Sequence, residues 1–184
     1  MKRKRSQSGF SMTELMVVVS IVAILLSIGV PSYRYITNSY RMSAEVNSLL
    51  GDLQYARSEA IKEGNAVVVC ASSTGTTCSG STSWQNGWIV FQDPDNNGQV
   101  DGGERVLHLQ AAFTGTTPDT FQPNNAVSGV SFNREGFATT AAGFATTTLT
   151  LQDPTLNGAW TRCLLINPVG MVQTATHTLN PGIC

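Results

Sequence analysis

The chain has 184 residues, four of them cysteine, and a formal net charge of −1. Charged residues make up 12% and hydrophobic residues 41%, against a usual charged share of about 25%, so the composition favours a packed core over disorder. The charge is uneven. Lys2, Arg3, Lys4 and Arg5 hold four of the 11 basic residues, and the rest of the chain sets seven basic against 12 acidic residues, which argues against a basic nucleic-acid-binding protein.

Residues 1–9 form a basic leader ending in Gly9. An apolar stretch follows from Phe10 to Val30, 21 residues whose only charge is Glu14. About 20 apolar residues span a bilayer as a helix, and the basic leader keeps its own end on the cytoplasmic side. A secretory signal peptide would show small residues at a cleavage site after the apolar core, but the core runs instead into Gly29-Val30-Pro31-Ser32-Tyr33. The string Gly-Phe-Ser-Met-Thr-Glu-Leu (Gly9–Leu15) resembles the signal of type IV prepilins and pseudopilins. That resemblance implies cleavage between Gly9 and Phe10 by a prepilin peptidase, methylation of the new N-terminus at Phe10, and retention of the apolar helix. It also gives Glu14 a role. A carboxylate within a span is costly and kept for a reason, and here it would pair with the Phe10 ammonium of a neighbouring subunit and set the axial register of assembly.

Pro31 lacks an N–H, so a kink or local break in the helix is expected there. Helical periodicity resumes from Ser32. Val46, Leu49, Leu50, Leu53, Ala56 and Ala60 recur at the spacing of one helix face, with Arg41, Glu45, Asp52, Arg57, Lys62 and Glu63 as polar positions around them. Gly64-Asn65 is the expected stop. One long helix is therefore predicted from Phe10 to Glu63, hydrophobic and then amphipathic.

From Ala66 the pattern turns to short β-branched and aromatic runs. Strands are predicted at Ala66–Cys70, Trp88–Gln92, Arg105–Leu109, Val127–Phe132, Thr147–Gln152, Arg162–Asn167 and Met171–Thr174. Ser72–Ser83 and Pro118–Asn125 read as loops. The fold class is α+β, a long N-terminal helix packed on an antiparallel β domain. The expected segments are a leader at 1–9, a transmembrane and assembly helix at 10–31, its amphipathic half at 32–64 and a β-rich globular domain at 65–184.

Two further strings, Leu53–Lys62 (Leu-Gln-Tyr-Ala-Arg-Ser-Glu-Ala-Ile-Lys) and Asn86–Asp93 (Asn-Gly-Trp-Ile-Val-Phe-Gln-Asp), resemble the FimT/GspH family of type IV minor pilins and pseudopilins. The resemblance implies a pilin-like fold and a non-catalytic minor pilin of a type IV pilus. A type II secretion pseudopilin is the close alternative, and a DNA-binding competence pilin is another. It implies other minor and major pilins and the prepilin peptidase as partners. The protein would lie single-pass in the inner membrane, N-terminus cytoplasmic and β domain periplasmic, before entering an extracellular pilus. Family members that bind DNA carry a basic Gly-Arg-x-Arg/Lys stretch near the C-terminus, where this chain reads Gly170-Met171-Val172-Gln173. From Ala66 onward three arginines face seven acids, and phosphate contacts need cations, so DNA is not an expected partner.

Four cysteines allow three pairings. Outside the cytoplasm an even number argues for disulfides, and the sequence-local pairs Cys70–Cys78 and Cys163–Cys184 are simplest. A zinc site would call for close Cys-x-x-Cys spacing, which is missing. His108 and His177 sit in no catalytic motif and read as polar surface positions. The segment 93–104 has the oxygen spacing of an EF-hand loop, with Asp93, Asp95, Asn97, Asp101 and Glu104 as calcium candidates. Its flanks read as strands, so the expected role is a polar hairpin whose Asp, Asn and Gly residues serve the turn, with no cofactor required.

Overall fold

The computed structural model describes residues 10–184, apart from 116–117, 141–142, 144, 180–181 and 183. They divide into two compact units, one running up to Ser39 and one from Tyr40 to Cys184. Helix α1, Met12–Glu63, contributes to both.

In the first unit every residue from Phe10 to Thr37 is exposed, and the helix is long and apolar enough to cross a membrane. Its hydroxyls fold back on its own carbonyls. Ser20 Oγ donates to Met16 O (2.8 Å), Ser27 Oγ to Ile24 O (2.7 Å) and Thr37 Oγ1 to Tyr33 O (2.8 Å). Polar groups satisfied within the helix are what a lipid surrounding requires. Of the kink or local break expected at Pro31, the break does not occur, because α1 continues through it. A proline removes one ladder bond, and the bonds of its neighbours carry the helix across.

In the second unit α1 buries Met42, Val46, Leu49, Leu53, Ala56 and Ala60 along one face. It stops at Gly64, whose φ of 71° suits glycine and whose N–H closes on Ala60 O at 3.0 Å. Nine strands follow among the described residues: β1 (Ala66–Ala71), β2 (Gly87–Asp93), β3 (Val106–Ala111), β4 (Thr120–Pro123), β5 (Gly129–Phe132), β6 (Ala138–Thr140), β7 (Thr147–Gln152), β8 (Arg162–Ile166) and β9 (Val172–Thr176). They form two antiparallel sheets in the orders β3-β2-β1-β5-β6 and β4-β7-β8-β9.

The period-2 alternation of strands explains the core. Val67, Val69 and Ala71 of β1 join Trp88 and Val90 of β2, Val130 and Phe132 of β5, and Phe121, Leu149, Leu151, Leu164 and Ile166 of the second sheet in one cluster with the buried face of α1. Val68, Cys70, Ile89 and Phe91 point the other way and make a smaller cluster with Cys78, Val100 and Val106. The first sheet is thus covered on both faces, which is why β1 and β2 read as near-continuous apolar runs.

Three expectations need correction. Pro118–Asn125 is not all loop, for it contains β4, an edge strand pairing with β7. A proline is tolerated at an edge because its missing N–H leaves no ladder bond unmade. Strand β6 was not foreseen, since Ala-Thr-Thr carries no apolar run; it forms by pairing with β5. Asp52, expected among the polar positions of α1, is buried.

Candidate functional site

Phe10 and Glu14 lie exposed at the start of the apolar helix, Glu14 in its first turn. A negative charge there complements the positive end of the helix dipole. Gly9 and the leader 1–9 lie outside the described residues.

The cysteines form two disulfides, Cys70–Cys78 and Cys163–Cys184, each with Cα atoms 5.6 Å apart. The first ties the Ser/Thr/Gly loop to the central strand β1. The second ties the end of the described chain to β8.

The acidic segment 93–104 connects β2 and β3 as a hairpin. Asp93 is fully buried and accepts from the backbone N–H groups of Asn97 (3.0 Å) and Gly98 (2.9 Å). Gln99 N–H donates to Asn97 Oδ1 (2.7 Å), which turns the Asn97 amide nitrogen towards Asp95 (2.9 Å) and Asp101 (2.7 Å). Glu104 accepts from the Asp101 N–H at 3.1 Å. Oxygens of Asp93, Asp95 and Glu104 come within 4.8 Å of one another. Burial pushes the Asp93 carboxyl above its ordinary range, opposed by the Gly98 N–H. Burial and the charges of Asp101, Asp93 and Asp95 push Glu104 the same way against the Asp101 N–H. The Asn97 amide thus bridges Asp95 and Asp101 within the hairpin. Beside it a cavity of about 340 Å³ is lined by Val68, Cys70, Cys78, Asn97, Ser131 and Thr139 among others.

Gly170 ends the turn between β8 and β9. Arg57 of α1 donates from Nη1 to Gly170 O (2.9 Å) and from Nη2 to Val169 O (3.4 Å). The Gly136 carbonyl presses so close that a Cβ on Gly170 would lie 2.0 Å from it. This is the stretch that the sequence resemblance set against the basic segment of DNA-binding family members. Here Met171 is exposed and the nearby guanidinium is engaged with carbonyls. His108 is exposed, as expected of a polar surface position, and its Nδ1 lies 2.9 Å from Asp52 Oδ1. His177 packs against Gly158. Sequence reasoning missed Asp52 and Arg57 as fixing points. Their polar character on a helix side gave no signal of the distant strands and turns that would meet them.

The family described as Type II transport protein GspH matches residues 45–170, and the prokaryotic N-terminal methylation motif matches residues 4–30. The chain belongs to the GspH family. Two fimbrial proteins of Pseudomonas aeruginosa are 35% identical to it over 72 residues, which is 39% of this chain and 46% of theirs. The chain thus spans less than half the length of the curated relatives it matches. Among solved structures, the type IV minor pilin FimU of Pseudomonas aeruginosa strain PAO1 matches in two crystal forms. One gives 21% identity, a TM-score of 0.50 and coverage of 77% of this chain and 93% of FimU. The other gives 20% identity, a TM-score of 0.54 and coverage of 80% and 92%. The long helix packed on antiparallel sheets is therefore a pilin fold.

Proposed function

We propose that this protein is a minor pilin subunit of a type IV pilus, held in the inner membrane by its N-terminal helix and then drawn into the filament. The observation that carries the reading is the exposed apolar half of α1 with Glu14 as its one charge, set directly after the Gly9–Phe10 junction within the methylation motif. Prepilin peptidase cuts after Gly9 and Phe10 is methylated. The four basic residues of the leader hold the N-terminus in the cytoplasm, and the β domain faces the periplasm. In the filament the Glu14 carboxylate pairs with the Phe10 ammonium of a neighbour. Two charges that would otherwise lie unpaired in an apolar bundle then lock one axial register. The β domain supplies the surface that meets other minor and major pilins, and its role is structural. The likeness to fimbrial proteins supports a pilus as the destination.

A second reading, a pseudopilin of type II secretion, is favoured by the GspH match itself. The same signal and helix serve both machines. DNA capture is disfavoured by the acidic balance after Ala66 and by Gly170–Gln173.

Mass mapping of the N-terminus in the native host tests the processing. The expected species begins at N-methylated Phe10, whereas a start near residue 30 would overturn the pilin reading. Recovery in sheared surface pili, compared with loss of protein secretion on gene deletion, separates the pilus from the secretion pseudopilus.

A further inference from the structure

Leu156 is held in a backbone conformation that leucine rarely adopts. Its φ is 55°, in the left-handed region, where a bulky side chain is an outlier and Gly or Asn the easier choice. The side chain is 68% exposed, so little packing within the chain offsets the strain. Asp153 fixes the conformation. Its carbonyl accepts from the Leu156 N–H (3.0 Å), and its carboxylate accepts from the N–H groups of Thr155 (3.0 Å) and Asn157 (2.8 Å). The turn between β7 and β8 thus presents a leucine outward at a cost, and such outliers cluster where a contact uses them.

A second leucine stands near it. A Cβ on Gly158 would lie 3.0 Å from the His177 ring, so the β7–β8 turn touches the segment after β9, where Leu179 is 78% exposed. This is the end of the β domain at which α1 enters. Leu179 lines a cavity with Ser43 and Val46 of α1. Arg41 donates to Asp119 just before β4, and Thr120 of β4 pairs with Gln152, the residue before Asp153.

Charge divides the two ends of the domain. At the far end, where α1 stops and the 93–104 hairpin lies, Glu63, Asp95, Asp101 and Glu135 are exposed. At the entry end Asp119 and Asp153 are buried, Glu45 is part-buried and Arg41 is exposed. Among the described residues no acidic side chain is exposed there. Outward leucines beside an exposed cation match a surface that is anionic at its face and apolar beneath.

We propose that Leu156 and Leu179 seat the entry end of the β domain on the anionic phospholipid surface of the membrane that holds α1. The proposal rests on the membrane anchoring read above. From Pro31 to Tyr40, the first residue of the second unit, the chain reaches at most about 32 Å. That stretch exposes Tyr33, Arg34 and Tyr35, and tyrosine favours the headgroup layer. So short a tether keeps the two leucines at high local concentration beside the lipid, and a contact of small area suffices.

The test places the full chain, methyl-labelled at Leu and Val, in nanodiscs of mixed phosphatidylglycerol and phosphatidylcholine or of phosphatidylcholine alone, each with spin-labelled lipid. Broadened Val22 methyls report insertion of α1. Leu156 and Leu179 methyls are expected to be broadened by the lipid label and shielded from a soluble paramagnetic chelate. Val169, 51% exposed in the β8–β9 turn at the far end, should show the reverse. Phosphatidylcholine alone should weaken the contact by up to about fivefold, the effect of one arginine at an anionic surface. Asparagine tolerates a positive φ, so Leu156→Asn should keep or raise the thermal midpoint while lipid broadening at Leu179 falls severalfold. Leu156 methyls open to the chelate while Val22 is broadened would overturn the lipid contact and leave the anchor standing. Unbroadened Val22 would sink the anchor and the contact with it. Unchanged broadening at Leu179 in Leu156→Asn, or equal contact with both kinds of disc, would also overturn the proposal. So would shielding of Leu156 that grows with protein concentration, which would assign the leucines to a second copy of the chain.

Discussion

The indole Nε1 of Trp88 on β2 donates to Asp52 Oδ2 on α1 over 2.7 Å, and both residues are buried. The same carboxylate meets His108 of the edge strand β3. One helix residue thereby fixes the helix on two adjacent strands. Asp52→Ala leaves a buried indole N–H without an acceptor and should cost about 1–3 kcal/mol. Asp52→Asn keeps an acceptor oxygen and should cost less. Urea unfolding of both variants checks the order.

Backbone geometry predicts opposite outcomes at two glycines. Gly170 has φ 76° and a carbonyl 2.0 Å from where a Cβ would stand. Gly170→Ala should lose about 1–3 kcal/mol to strain at that φ alone, and more from the contact. Gly51 lies on the exposed side of α1 with nothing near its missing Cβ. Gly51→Ala should gain about 0.5–1 kcal/mol. Thermal unfolding of the two variants should move in opposite directions.

The two disulfides close loops of different length, with sequence separations of 8 and 21. Chain entropy gives roughly 2.5 kcal/mol for the shorter and about 3.3 kcal/mol for the longer. Paired serine replacement at Cys163 and Cys184 should therefore destabilise more than replacement at Cys70 and Cys78, by less than about 1 kcal/mol. Equal stability of both variants with the native chain would contradict it.

Much of this arrangement was legible in the sequence, because it rests on short-range patterns. The helix came from its 3.6-residue period, the strands from alternation between turn residues, and the hairpin from Asp, Asn and Gly. What escaped was set by partners far away. Asp52 sits between Leu49 and Leu53 and looks like a solvent position until Trp88 arrives, 36 residues on. Asp119 lies in a stretch rich in Thr and Pro, and nothing local points to Arg41, its partner at 2.9 Å. Strand β4 is a strand because β7 lies beside it, although its own Gln-Pro reads as a turn.

An acid limb of stability is expected from Asp153. Burial pushes its carboxyl up, but hydrogen bonds from Thr155 and Asn157 outweigh it and hold the pKa below the ordinary 3.8. A depressed carboxyl stabilises above its unfolded value and loses that contribution as pH falls through the folded one. Asp153→Asn should flatten the stability profile below about pH 4 and leave it nearly parallel above. Urea midpoints from pH 2 to pH 7 decide it.

Glu14→Ala is expected to be processed and inserted normally and to be depleted from sheared pili. Glu14→Gln, which keeps the shape without the charge, should be depleted too. Recovery of either at native levels would remove the charge pairing with Phe10.

The chain visits the two sheets alternately. It lays down β1 to β3 in the first, crosses for β4, returns for β5 and β6, and crosses again for β7 to β9. The central strand β1 keeps one flank empty until β5 arrives some 60 residues later. The first sheet therefore closes only after the chain has left it for β4, and the second only after the chain has gone back for β5 and β6. A fragment ending after β3 would expose an unpaired edge on its most apolar strand, and one beginning at β5 would lack the helix that covers it. Neither sheet comes from one unbroken stretch of chain, so the β domain is expected to fold cooperatively rather than sheet by sheet.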